Sequence, residues 1–133
     1  MQREFHTYRL PNGIRGIHRQ VKGNVAHCAL VVNAGSRDER SDEYGLAHFA
    51  EHAFFKGTQR RRAWQVNCRL ENLGGELNAF TTKEDTTIHA TTLRGDFAKA
   101  AELLADVAFR STFPDRELER EKEVIYDEIN TYK

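Results

Sequence analysis

Three side chains on one predicted helical turn constrain this sequence more than any other feature. His48, Glu51 and His52 form the pattern His-x-x-Glu-His, and residues three or four apart on a helix lie on the same face. The two imidazoles can therefore bind one cation while the carboxylate projects beside them. Two imidazole ligands with an adjacent carboxylate form the kernel of a hydrolytic zinc site. The motif alone leaves open an amphipathic helix that carries these residues by chance.

The composition fits a folded domain and argues against two classes of partner. The chain has 133 residues, of which 39% are hydrophobic and 30% charged, and this suits one compact domain or a large part of one. The 20 basic residues balance the 20 acidic ones, so no net field attracts nucleic acid or an anionic membrane surface. No apolar run approaches the ~20 residues that span a bilayer. We therefore expect no nucleic-acid partner and no membrane partner.

The cysteines and the first ten residues favour a cytoplasmic setting. Cys28 and Cys68 fit no spaced metal or redox motif, so we expect two reduced thiols. Residues 1–10 are polar and lack the apolar core of a secretory signal, although a leader that had been removed would leave no trace here.

The alternation of apolar segments with turn residues predicts an α+β fold. We expect a mainly antiparallel sheet of about five strands with helices packed on one face, which is a two-layer arrangement. Glycines and prolines separate the segments, and Pro11-Asn12-Gly13 marks the turn of a hairpin. Predicted strands cover 5–10, 14–20, 25–34, 76–82 and 86–93, and predicted helices cover 44–55, 60–73, 95–109 and 116–133.

Strand composition predicts which strands are buried. Residues 25–34 are the richest in valine and leucine, so we expect a central strand that is buried on both faces. Residues 76–82 and 86–93 are rich in threonine, which favours a sheet edge or a face near solvent. The basic run at 60–62 is expected to be a solvated first helical turn, with an anion site as the alternative.

The last predicted helix carries two carboxylates on its apolar stripe. At about 100° per residue, Glu121 and Glu128 fall among the stripe's apolar side chains, one heptad apart. A carboxylate that faces a core is costly unless it is paired or binds a metal, although one of the two could lie at the margin and reach water. A catalytic zinc usually has three protein ligands and one open position, so this helix is the candidate source of the third ligand. The stripe comprises Leu118, Val124, Ile125, Ile129 and Tyr132.

Several different short sequence blocks are distributed, in a fixed order, along almost the whole chain. They are GLAHFAEH at 45–52, FKGT at 55–58, LE at 70–71, GG at 74–75, LNAFT at 77–81, ERE at 119–121, VI at 124–125 and EI at 128–129. In this order they resemble the inverted-motif zinc peptidase family that includes pitrilysin, insulin-degrading enzyme and the mitochondrial processing peptidase. Several separated blocks are far more specific than the five-residue motif.

The resemblance implies a role for each polar residue of the two helices. The first two Zn²⁺ ligands fall on His48 and His52, and the catalytic base falls on Glu51. The distal ligand falls on Glu128, and the supporting carboxylate falls on Glu121. These are the same two glutamates that the helical stripe indicates.

A peptide-binding strand is also implied by the resemblance. Residues Asn78, Ala79, Phe80 and Thr81 match the strand on which such enzymes hold peptide substrate by strand addition. The threonine-rich composition of this segment is compatible with that role, and a plain structural edge is the alternative.

The family's architecture implies a partner for this chain. Its members are built from two homologous halves and are several times longer, so we expect residues 1–133 to be the N-terminal part of the zinc-bearing peptidase domain. The second half of the enzyme, as a C-terminal segment or a partner subunit, is absent from this sequence. The resemblance implies a zinc metalloendopeptidase that hydrolyses peptides. The alternative is a non-catalytic peptide-binding or scaffold subunit, and a homo-oligomer stays open.

Overall fold

A computed structural model describes residues 4–132, which form an α+β arrangement as predicted. The described strands pair antiparallel throughout. Short 3-10 turns at Ser36–Asp38 and Arg94–Asp96 connect elements, and the predicted helical end at residue 133 lies outside the described residues. The elements are β1 (His6–Arg9), β2 (Arg15–His18), β3 (Val25–Val32), α1 (Leu46–Ala53), α2 (Ala63–Glu71), β4 (Glu76–Thr81), β5 (Thr86–Leu93), α3 (Phe97–Phe109) and α4 (Asp115–Thr131).

The first two strands form a hairpin that is separate from the main sheet. Gly13 turns the chain with a φ of 91°, and the Asn12 side chain accepts a hydrogen bond from the Ile14 N–H at 3.1 Å. β1 and β2 pair only with each other, from His6 opposite His18 to the turn. The five predicted strands are therefore present, but in two sheets rather than one.

The order of the main sheet corrects two predictions about burial. The strand order is β3-β5-β4, so β5 is central and β3 is an edge. The threonines of β5 are covered by neighbours on both sides, and Thr92 is only 4% exposed. β3 alternates exposed and half-buried residues, and its exposed set includes Val25 and Val31. Valine content predicted a buried strand wrongly because hydrophobicity does not encode strand order.

The helices pack on one face of the main sheet and build the core there. Ile88 and Ala90 point from β5 toward α2 and α3, and small Ala100 allows α3 to approach the strand closely. Each large apolar side chain buried in this way contributes about 1.5–3 kcal/mol relative to exposure. The fully buried cluster contains Val66, Leu70, Ile88, Ala90, Ala100, Leu103, Leu104 and Val107.

A turn between α1 and α2 corrects the predicted start of the second helix. α2 begins at Ala63, because residues 57–62 close a turn in which the Thr58 N–H donates to the Arg61 carbonyl at 2.8 Å. The Arg61 side chain is neither solvated nor placed as an anion site, since its guanidinium donates to Glu102 and Asp106 on α3. Within residues 4–132, no helix has the length and apolarity needed to cross a membrane.

Candidate metal centre

The motif helix is fixed at its N-terminus by a carboxylate from the preceding loop. Glu39 accepts hydrogen bonds from the Gly45 N–H at 3.0 Å and from the Ala47 N–H at 2.8 Å. The first N–H groups of a helix have no partner within the helix, and a negative charge there also interacts favourably with the helix dipole. The polar loop at 35–43 thus does more than connect elements, because it sets where α1 begins. Sequence reasoning did not assign this role to Glu39.

Three ligand atoms from α1 and α4 converge on one point. Nε2 of His48 and Nε2 of His52 lie 3.1 Å apart, and Oε2 of Glu128 lies 3.3 Å from the first and 3.6 Å from the second. A tetrahedral zinc with bonds of ~2.0–2.1 Å separates its ligand atoms by ~3.3 Å. The three separations, 3.1, 3.3 and 3.6 Å, bracket this value. The donor set and its spacing therefore fit a zinc ion, although His48 and Glu128 lie 80 residues apart in sequence.

The site is enclosed on one side and open on the other. The His52 side chain is 19% exposed, whereas those of His48 and Glu128 are 44% and 41% exposed. His48 and Glu128 line an open cavity together with Ile129 and Tyr132. An open side gives a substrate access to a bound cation. The apolar stripe of α4 predicted a core-facing side for this helix, but Val124, Ile129 and Tyr132 of that stripe are exposed in this structure.

Glu121 lies behind the ligands and contacts His52. Its Oε1 accepts a hydrogen bond at 2.7 Å from Nδ1 of His52, which assigns the proton of the imidazole to Nδ1 and leaves Nε2 free for a metal. Its Oε2 lies 2.7 Å from the Lys56 ammonium. Burial raises the pKa of Glu121, but the hydrogen bonds from Lys56 and His52 outweigh burial and hold this pKa below its usual value.

Sequence reasoning missed the contribution of Lys56. A signal was present, because a carboxylate predicted to be buried calls for a cation, and Lys56 follows His52 by four residues. In the sequence, Lys56 stands out only as part of the FKGT block at 55–58.

Glu51 stands beside the ligands and bonds to the sheet. The Thr81 hydroxyl donates to Oε2 of Glu51 at 2.7 Å, which ties the carboxylate to β4. Glu51 is not among the three converging ligand residues, which agrees with a role other than metal binding. The Thr81 side chain points to the helices, so it supports Glu51 and does not face outward from the predicted peptide-binding strand.

The rest of residues 78–81 lies on an edge of the main sheet. β4 pairs with β5 on one side, and no other described strand pairs with it. Asn78 and Phe80 are exposed on the outer face, whereas Ala79 and Thr81 are half-buried on the helix side. The Ala79 N–H donates to Oδ1 of Asn78 at 2.8 Å. The edge of β4 that faces away from β5 has no partner among the described strands, and an extended peptide can add to such an edge.

Comparisons with known proteins agree with this geometry. Residues 17–133 match the profile of a family described as Insulinase (Peptidase family M16). The chain is 38% identical over 123 residues to the mitochondrial-processing peptidase subunit beta of Saccharomyces cerevisiae, covering 92% of this chain and 27% of that protein. It is 40% identical over 128 residues to the uncharacterized zinc protease YmxG of Bacillus subtilis, covering 95% of this chain and 31% of that protein.

A solved structure is also similar. A protease from Helicobacter pylori superposes with a TM-score of 0.90 at 26% sequence identity, covering 96% of this chain and 31% of that chain. The chain therefore spans between a quarter and a third of the length of these relatives.

Proposed function

The chain belongs to the insulinase family, peptidase family M16, and from this premise we propose that it supplies the catalytic metal centre of a zinc metalloendopeptidase. The observation that carries the proposal is the convergence of His48, His52 and Glu128, whose ligand atoms lie 3.1–3.6 Å apart. These three residues would hold Zn²⁺. When bound, zinc acts as a Lewis acid that polarises a carbonyl and lowers the pKa of a water toward ~7.

Glu51 is the general base in this proposal. Thr81 holds its Oε2, and we assign Oε1 to take the proton of the attacking water and to deliver it to the leaving amine. The hydrogen bond fixes the carboxylate before substrate arrives, which lowers the cost of orienting it during the reaction. Glu121 keeps His52 in the tautomer that presents Nε2 to the metal.

The peptide substrate would lie along the open edge of β4. Backbone groups of the edge strand pair with an extended peptide, and exposed Asn78 and Phe80 stand beside its path. We propose that a further segment or a partner subunit completes the enzyme, because the matched relatives are more than three times as long as this chain. One of those relatives is itself named as a subunit.

Metal content tests the proposal directly. We expect the purified chain to retain about one zinc after dialysis, and His48→Ala and His52→Ala each to lose it. His27→Ala is the matched control, because His27 lies on the exposed side of β3 and bonds Thr91. A folded chain that binds no zinc would contradict the catalytic proposal and favour the alternative, a peptide-binding or scaffold subunit that uses only the β4 edge.

A further inference from the structure

Within residues 4–132, few side chains of the helix that carries Glu128 are covered along most of its length. Among the described residues of α4, Glu121 alone is buried, and the side chains of Val124 and Ile129 are 46% and 50% exposed. Few contacts therefore fix the direction of α4 beyond its early turns. Its direction must be set mainly where the helix begins and where Glu121 contacts Lys56 and His52.

The direction of α4 matters because the Glu128 carboxylate lies far from the start of the helix. Glu128 lies thirteen residues after Asp115, which is about 20 Å along a helix at ~1.5 Å per residue. A tilt of about 10° at the start would move Glu128 by about 3.5 Å over that length. Zinc ligand distances tolerate only about 0.2 Å, so even a tilt of one or two degrees has to be compensated elsewhere.

A set of polar side chains around the buried Asp106 of α3 lies between the turn that follows α1 and the segment that precedes α4. We call Thr58, Arg61, Asp106 and Arg110 the polar clasp. Asp106, which is 0% exposed, accepts from the Thr58 hydroxyl at 2.7 Å, from Arg61 at 2.8 Å and from Nε of Arg110 at 2.9 Å. The Thr58 oxygen in turn accepts from the backbone N–H groups of residues 60 and 61.

The polar clasp joins the two segments that lead to the metal ligands. The Gln59 N–H donates to the Arg110 carbonyl at 3.0 Å, and the Thr112 N–H donates to the Gly57 carbonyl at 3.1 Å. Residues 57–59, which follow α1, are thereby paired with residues 110–112, which precede α4. These bonds thus hold the turn that follows α1 against the segment that leads into α4.

The junction that follows the clasp contains a strained residue. Phe113 has a φ of 47°, the one positive value outside glycine among residues 4–132. Its ring packs against that of Phe54, with 6.0 Å between the ring centres. A non-glycine residue persists in this conformation only when its surroundings determine it, so the connection into α4 is held by its contacts.

We propose that the polar clasp positions the metal centre, so that Thr58, Asp106 and Arg110 act on zinc affinity without touching the ion. The inference rests on the proposed function, since it requires that His48, His52 and Glu128 bind the metal. Loss of a clasp hydrogen bond lets α4 tilt, and the three ligand atoms then converge less well. Partners that orient metal ligands typically change affinity by ~10–100-fold, and we expect about tenfold for this more distant group.

The test compares Thr58→Val with Thr58→Ser in the 133-residue chain. Valine keeps the shape of threonine and removes the hydroxyl, whereas serine keeps the hydroxyl. Ile88→Val is the control for a general loss of stability, because Ile88 is fully buried in the core and outside the clasp. The readouts are Zn²⁺ affinity by chelator competition and the visible absorption spectrum of the Co²⁺-loaded chain, which reports coordination geometry. Both are measured well below the melting temperature.

We expect Thr58→Val to lower zinc affinity about tenfold and to change the Co²⁺ spectrum, while Thr58→Ser and Ile88→Val leave both unchanged. Should Thr58→Val lose its folded circular dichroism, Arg110→Gln replaces it, because Arg110 is partly exposed and gives up one bond to Asp106. Suppose that the wild-type chain binds zinc, and that Thr58→Val and Arg110→Gln bind it equally well with unchanged Co²⁺ spectra. This result overturns the role of the polar clasp and leaves the proposed function standing. A wild-type chain that binds no zinc overturns the proposed function as well.

Discussion

Nδ1 of His52 lies 2.7 Å from Oε1 of Glu121, although 69 positions separate the two residues in sequence. This contact joins the motif helix to α4 and orients His52, one of the three proposed metal ligands. It also buries the carboxylate, which is 5% exposed and shares its second oxygen with Lys56. Among substitutions near the site that leave the three proposed ligands intact, removal of the Glu121 carboxylate should therefore weaken metal binding most.

Glu121→Gln should weaken zinc binding by about 10–100-fold. Glutamine keeps the size of the side chain but loses the charge that makes the His52 imidazole more basic, and it leaves the Lys56 ammonium without its ion-pair partner. Chelator competition measures the change. Glu119→Gln serves as the control, because Glu119 lies on the same helix, is exposed and pairs with Lys122. Equal affinities of the Glu121→Gln and wild-type chains would contradict the role given to Glu121.

Thr81→Val should lower the turnover number of the complete peptidase by about tenfold, which is less than the ~10²–10⁴-fold that a general base contributes, because Glu51 is retained and only its orientation is disturbed. The hydroxyl that holds Oε2 of Glu51 is lost, whereas the metal ligands keep their contacts. Steady-state hydrolysis of a fluorogenic peptide gives kcat and KM separately, and zinc content is measured in parallel. Thr81→Ser should retain near-normal kcat. A Thr81→Val enzyme with unchanged kcat would show that Glu51 does not depend on this bond.

Asp106 should contribute stability that is lost in acid. Burial raises the pKa of Asp106, but hydrogen bonds from Thr58, Arg61 and Arg110 outweigh burial and hold the pKa below its ordinary value. A carboxyl whose pKa is lower in the folded state than the unfolded ~3.9 stabilises the fold fully above that pH, and the contribution falls as pH drops toward the folded-state pKa.

Asp106→Asn tests this dependence. It breaks a buried charge network, so we expect a loss of about 3–5 kcal/mol in the free energy of unfolding at pH 7 and a smaller difference near pH 3. Urea unfolding at both pH values provides the measurement. Glu84→Gln removes an exposed partner of Arg37 and should cost less than about 1 kcal/mol at either pH. If Asp106→Asn lowers the free energy of unfolding by the same amount at pH 3 as at pH 7, the ionisation of Asp106 does not stabilise the fold.

Glu39→Ala should destabilise the chain by about 0.5–2 kcal/mol, the usual cost of removing a side chain that caps a helix N-terminus. The Gly45 and Ala47 N–H groups lose their acceptor, although water can replace part of it because the site is partly exposed. Urea unfolding gives the loss, and Asp42→Asn, which changes an exposed loop carboxylate, is the control. If Glu39→Ala and Asp42→Asn have the same free energy of unfolding, Glu39 does not anchor the motif helix.

Local patterns in the sequence predicted the parts of the molecule that depend on local interactions. The turn at Gly13, the two helices that carry the ligands and the α+β class follow from turn residues and periodicity. The helical stripe by itself also singles out Glu121 and Glu128. A carboxylate on an apolar stripe is costly without a partner, so the pattern carries structural information.

Features that depend on distant pairing were not predictable in this way. The position of β5 between β3 and β4 depends on its pairing with β3 across more than fifty residues of chain, and threonine content does not record that pairing. The contact of Arg61 with Asp106 joins two elements 45 positions apart, and a run of three arginines gives no sign of it. Side-chain partners of this kind emerge only when the packing of the helices on the sheet is known.

A zinc-loaded crystal structure of the chain, recorded with anomalous scattering at the zinc edge, tests the central claim most directly. The account predicts one strong peak between α1 and α4, at about 2.0–2.2 Å from Nε2 of His48, Nε2 of His52 and a carboxylate oxygen of Glu128. A folded chain whose peak lies on other residues, or that shows no peak in crystals grown with an excess of zinc over protein, would contradict it.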